Sequence, residues 1–214
     1  MHNLAASRVG KSRRKAIIII IGIMIIGGVL CLWLQHADLQ TRSANTDEQK
    51  VYRAVLKKIL SDEKERGDAY KFYVNARTLK TPNDIDSISK RLETLQPATL
   101  EDFQNQNKKS YVMPEIGGGF DYVMKEFDEI DAIFHREDDF EAYNSIITKI
   151  LNRDMIICFS SVGFSPDQAM VYVFDINIVG GIWTSKAVFL LSKENNEWVI
   201  EETAPGTSVH IGLY

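Results

Sequence analysis

The chain has 214 residues, 25 of them basic and 29 acidic, for a formal net charge of −4 and only two cysteines. All five basic residues of the first 34 stand without an acidic neighbour, which leaves 20 basic and 29 acidic residues from position 35 onward, a net −9. That balance argues against nucleic acid and against close contact with anionic lipid as partners of the main domain. An internal disulfide is excluded there as well, because Cys31 lies in the N-terminal apolar run and only Cys158 remains.

Residues 1–15 form a basic tail, and Ala16 to Leu34 follow as nineteen uncharged residues that include five consecutive isoleucines, Ile17 to Ile21. As a helix this run reaches roughly 28 Å, close to the hydrocarbon thickness of a bilayer. A transmembrane helix over 16–34 is expected, in contact with membrane lipid. Arg8, Lys11, Arg13, Arg14 and Lys15 place the N-terminus in the cytoplasm and the domain outside it, in the cell envelope or periplasm. An uncleaved signal-anchor of a single-pass inner-membrane protein is the leading reading, and lipidation of Cys31 is the main rival. Gly22, Gly27 and Gly28 lack the four-residue spacing of a tight helix dimer, and Trp33 suits an interfacial anchor.

Residues 35–45 are a polar tether, and 46–214 are expected to form one exported domain. Thr46-Asp-Glu-Gln49 is a capping box, after which Val51, Tyr52, Val55, Leu56, Ile59 and Leu60 draw an apolar stripe along a helix that ends by Gly67. Tyr70 to Leu79 alternates as a half-buried strand. Thr81-Pro82 opens a helical stretch through Ile85, Ile88, Leu92 and Leu95, and Thr99 starts a short helix ending near Asn107. Tyr111 to Met113 is a brief strand, Gly117 to Gly119 a turn without the Lys-Ser/Thr of a phosphate loop, and Tyr122 to Phe127 a further strand. Helices are expected over 128–134 and 139–151.

From Met155 the pattern is β. Runs over 155–162, 169–178, 183–192 and 197–202 are separated by Ser165-Pro-Asp167, Gly180-Gly181 and Glu194-Asn-Asn196, so a C-terminal four-stranded antiparallel meander is expected. The fold class is α+β, with helices on one face of a mainly antiparallel sheet. Alternation puts Tyr172, Phe174 and Ile176 on one side and Val173, Asp175 and Asn177 on the other, with Asp175 facing outward.

Several motifs together resemble a family of uncharacterised bacterial proteins. They are Val51-Tyr52, the strand 70–78, Thr99-Leu-Glu-Asp-Phe-Gln-Asn-Gln-Asn107, Ser160-Ser-Val-Gly-Phe164, Ala169-Met-Val-Tyr-Val173, Gly180-Gly181, Phe189-Leu-Leu-Ser-Lys193 and Trp198-Val199. The resemblance implies a shared fold and an exported setting, and it supplies no reaction. The chain departs from the family at Trp183-Thr-Ser-Lys186, where small residues are usual.

Candidate chemistry is sparse. His135 has Asp138 and Asp139 at helical spacing but no second histidine nearby, so a solvated helix boundary is expected instead of a metal site. Cys158 lies in the apolar run Met155 to Phe159 and is expected to pack as a small hydrophobe. Ser160 and Ser161 lack a nucleophile elbow. No catalytic residue and no cofactor is assigned. Trp198 is expected in the core. Trp183, following Gly180 and Gly181 at the end of a hairpin, is the one candidate binding residue. The functional reading is a membrane-anchored, non-catalytic binding or interaction domain with an envelope protein as possible partner. A small envelope hydrolase and a toxin-neutralising self-protection protein are the alternatives.

Overall fold

The computed structural model describes residues 46–64, 71–135, 140–149, 155–178 and 182–211. The expected span 16–34, Cys31, the tether and the pair Gly180-Gly181 lie outside them. Among the described residues no helix is long and apolar enough to cross a membrane.

The elements follow in the order α1 (Thr46–Lys64), β1 (Phe72–Asn75), α2 (Ile85–Ser89), α3 (Pro97–Gln106), β2 (Tyr122–Lys125), α4 (Glu129–His135) and α5 (Phe140–Lys149). Six further strands complete the chain: β3 (Met155–Phe159), β4 (Gly163–Phe164), β5 (Gln168–Asn177), β6 (Ile182–Glu194), β7 (Glu197–Pro205) and β8 (Val209–Ile211). The fold is α+β. All eight strands join one sheet with the principal order β2-β1-β3-β5-β6-β7, β4 adding to β5 and β8 to β6.

The expected meander is present as β3, β5, β6 and β7, each antiparallel to the next. Asn195 and Asn196 turn the β6–β7 hairpin at φ 48° and 67°, a conformation asparagine tolerates better than most side chains. The sheet is mixed, however: β1 runs parallel to both β2 and β3. Parallel partners need long crossovers, and the two helical segments α2–α3 and α4–α5 supply them.

The expectation that helices cover one face is corrected. Met170, Tyr172, Phe174 and Ile176 of β5 pack with Ile156, Cys158 and residues of α2 to α5. Ala169, Val171 and Val173 face the other way, against Phe72, Ile157, Phe159 and the Val51, Tyr52, Val55 and Leu56 stripe of α1. A strand buried on both faces needs a cover on each, and α1 is the second cover. Each fully buried aliphatic or aromatic side chain of that stripe stabilises the packing by about 1.5–3 kcal/mol.

Three local expectations also change. The helix expected from Thr81 through Leu95 is limited to Ile85–Ser89. Leu92 is still buried, but on a turn whose Glu93 and Thr94 amides donate to the Glu202 carboxylate at 2.8 Å each. Helix α3 begins at Pro97, with Gln96 as its cap, because Thr99 spends its hydroxyl on Ser165 and Gln168, 3.0 Å from each. The segment 111–113 contributes only one bridge, Val112 to Arg77.

Candidate functional site

The parallel strands β1 and β2 are in register from Phe72 with Tyr122 to Asn75 with Lys125. Beyond their carboxyl ends the two chains diverge and leave a cleft of about 380 Å³. Splayed strand ends are where open sheets commonly hold ligands, since the loops there can converge on a shared space.

The walls of the cleft are fixed from beneath. Asn75, 4% exposed, donates from Nδ2 to the Arg77 carbonyl at 2.9 Å and accepts the Phe127 amide on Oδ1 at 3.3 Å, so one amide ties both chain exits. Thr78 accepts the Tyr111 amide on Oγ1 at 2.9 Å and the Ser110 hydroxyl on its carbonyl at 2.6 Å. Leu79 donates its amide to the Phe159 carbonyl at 2.8 Å, anchoring the same loop to β3. Phe127 forms an edge-on contact with Tyr73 at 5.5 Å.

Charge is distributed unevenly around this cleft. Arg77, Lys80, Lys108 and Lys109 lie on the walls built from the β1 exit and the end of α3, whereas Glu126 and Asp128 lie on the β2 side. Arg77 Nε stands 3.5 Å from Glu126 Oε1, with both side chains substantially exposed. Lys108 donates to Asn105 at 2.8 Å, and among the described residues Lys109 has no ion pair. Thr78 and Ser110 bring hydroxyls to the cleft; the Thr78 oxygen accepts the Tyr111 amide and the Ser110 proton is engaged by a carbonyl, which leaves both oriented for structure rather than activated by a base.

A second polar cluster joins α1, α3 and the strand exits, but it is closed. Glu48, 2% exposed, has Oε1 2.9 Å from the Tyr52 hydroxyl, which also stands 2.9 Å from the Ser160 carbonyl. Asn107, fully buried, donates to the Phe103 and Ser161 carbonyls at 2.8 and 3.0 Å and accepts the Ser161 amide at 2.7 Å. Asp102 accepts the Phe164 amide at 2.8 Å. The motif running from Thr99 to Asn107 and the motif running from Ser160 to Phe164 therefore meet face to face. Gly163 allows it: a Cβ there would fall 2.4 Å from Phe103 Cα. Satisfied buried polar groups of this kind specify packing.

The candidates named from sequence separate in space. Trp183 is 47% exposed, as its place at a hairpin end suggests. It pairs with Asn177, which pairs with Met155, which pairs with Phe72, so Trp183 belongs to the end of the sheet where β1 and β3 begin. The cleft lies at the opposite end. Gly180 and Gly181 fall outside the described residues. Trp198 is buried, its ring tilted by 52° against that of Phe164 with centroids 5.6 Å apart. Cys158 is fully buried, and burial pushes its thiol well above the usual range, with the charge of Asp175 adding to the effect. Asp175 lies on the α1 side of the sheet, where it accepts a hydrogen bond from Ser185. His135 closes α4, and no group of three metal-ligating side chains occurs among the described residues.

The cleft residues come from three separated stretches, 75–80, 108–110 and 126–130, each unremarkable in sequence. Only the Lys108-Lys109 pair directly after a helix end hinted at a basic rim. Comparisons of the chain with models of protein families, with curated proteins and with solved structures find no match.

Proposed function

We propose that this chain is a membrane-tethered binding protein whose domain captures a small ligand in the cleft beyond β1 and β2, without transforming it. In this reading residues 16–34 span the inner membrane, the basic tail stays in the cytoplasm, and 46–214 are displayed in the envelope. The nineteen uncharged residues behind five basic ones support the anchor and its direction. The single observation that carries the binding role is the cleft itself. Its volume suits a small molecule, and its buried Asn75 and Thr78 supports are fully engaged, so the charged groups above them sit on a braced frame.

The test is site-specific photocrosslinking in native membranes. A photoactivatable residue at position 80 is compared with one at position 183, and adducts are read by intact-mass spectrometry. A discrete adduct from position 80 alone is the expected result. Adducts from position 183 alone would move the binding role to the Trp183 hairpin and overturn the assignment. Labelling of Lys57 by a membrane-impermeant amine reagent in intact cells whose outer layer has been opened tests the topology, and protection of that residue would refute export.

A further inference from the structure

We infer that the cleft recognises a small organic anion through an oxyanion headgroup, a carboxylate or a phosphate. This rests on the reading of the cleft as the binding site and adds the class of ligand. Four cationic side chains, Arg77, Lys80, Lys108 and Lys109, and two carboxylates, Glu126 and Asp128, line one space of about 380 Å³. The rim thus carries a surplus of two positive charges in a domain that is acidic as a whole. A local excess of one sign against the net charge focuses potential on the concavity and attracts the opposite charge.

The arrangement also states how the headgroup is held. Arg77 presents a planar fork of donors suited to a two-oxygen acceptor; in this structure its Nε faces Glu126 at 3.5 Å, a long and solvent-exposed pairing, and its Nη2 donates to the Ser110 carbonyl at an equally long 3.5 Å. Exposed pairs of this kind are weak. An incoming oxyanion can compete with Glu126 for the guanidinium. Lys109, without an ion pair among the described residues, gives a second donor on the neighbouring wall. Lys80, which is not without a partner, and Lys108, hydrogen-bonded to Asn105, contribute field at the rim. Glu126 therefore acts as a placeholder that weakens binding, and the geometry gives the two charge-removing substitutions opposite signs.

The experiment titrates the full-length protein in detergent with inorganic phosphate and, separately, with succinate at constant ionic strength. Protection of individual lysines from acetylation is read by mass spectrometry. The expected result is protection of Lys80 and Lys109 by at least one of the two probes, with Lys57 and Lys58 of α1 unaffected. The probe that protects names the headgroup. Lys109→Gln should weaken binding about tenfold, and Glu126→Gln should tighten it about threefold, both sites being exposed enough to leave folding intact. No protection up to about 10 mM of either probe, or equal protection of Lys57 and Lys58, would overturn the assignment. So would a Glu126→Gln variant that binds more weakly. A failed titration beside a discrete photocrosslink from position 80 would reject the anion and keep the cleft as the binding site.

Discussion

Replacing Gly163 by alanine probes the contact on which the α3 side of the domain depends. A Cβ at that position would stand 2.4 Å from both the Cα and the N of Phe103 and 2.5 Å from its Cβ. Non-bonded carbons prefer about 3.5–4.0 Å, so α3 must retreat by about 1 Å. The obstacle is helix backbone, which cannot rotate aside as a side chain can. Overpacking alone costs about 1–3 kcal/mol. Retreat also lengthens the Asp102 to Phe164 bond of 2.8 Å and the Thr99 to Ser165 bond of 3.0 Å, each contributing about 1 kcal/mol. The total is about 4 kcal/mol, which for a domain of this size lowers the thermal midpoint by about 8–16 °C. Gly119→Ala is the control: φ is +76° but a Cβ meets nothing within 4 Å, so only backbone strain of about 1–2 kcal/mol is expected. Thermal unfolding followed by tryptophan fluorescence compares the two. A Gly163→Ala loss no larger than that of Gly119→Ala would refute the close approach of β4 to α3.

Asn107→Ala removes three buried hydrogen bonds and strands the Ser161 amide, for an expected loss of about 3 kcal/mol in denaturant titration; a loss under about 0.5 kcal/mol would mean that Asn107 is not the bridge described. Cys158 should resist alkylation in the native protein and react only in denaturant, read at the peptide level, because its thiol is buried and its ionisation suppressed. The Lys193 hydrogen bond holds the Asp47 carboxyl below its ordinary value, as the Thr94 hydroxyl and the Glu93 and Thr94 amides do for Glu202. A depressed folded pKa contributes stability above the unfolded value and loses it as pH falls through the folded one. Asp47→Asn should therefore cost about 0.5 kcal/mol at neutral pH and become indistinguishable from the parent in strong acid, checked by denaturation at several pH values.

What the sequence made legible is the part governed by local pattern. Alternation in 169–177 placed Tyr172, Phe174 and Ile176 together and Val173 opposite, as the two core clusters confirm. The apolar stripe of α1 and the turn at Asn195-Asn196 follow from rules that act over a few residues. The parallel association of β1 with β2 and β3 has no local signature, since each strand is short and its partner lies across a helical crossover. Without that pairing the cleft cannot be foreseen, because Arg77, Lys109 and Glu126 become neighbours only through it. The helix expected through Leu95 shows the same limit from the other side. Its apolar spacing was real, but the Glu202 carboxylate captured the Glu93 and Thr94 amides that would have continued it. Thr99 had the chemistry of a cap and found buried partners instead.

The mixed sheet also divides the domain by the order in which it can assemble. Strands β5, β6 and β7 are joined by short connections, whereas β1 pairs with β3 and β2 across long stretches of chain, at a greater loop-closure cost. Strand β2 stands at the edge, none of its four residues fully buried. Local opening starts where burial is least. One wall of the cleft thus rests on an edge strand without a buried residue, and an occupant bridging the β1 and β2 exits would act as a clasp, slowing amide exchange in β2 while leaving the β5–β6 pairing unchanged.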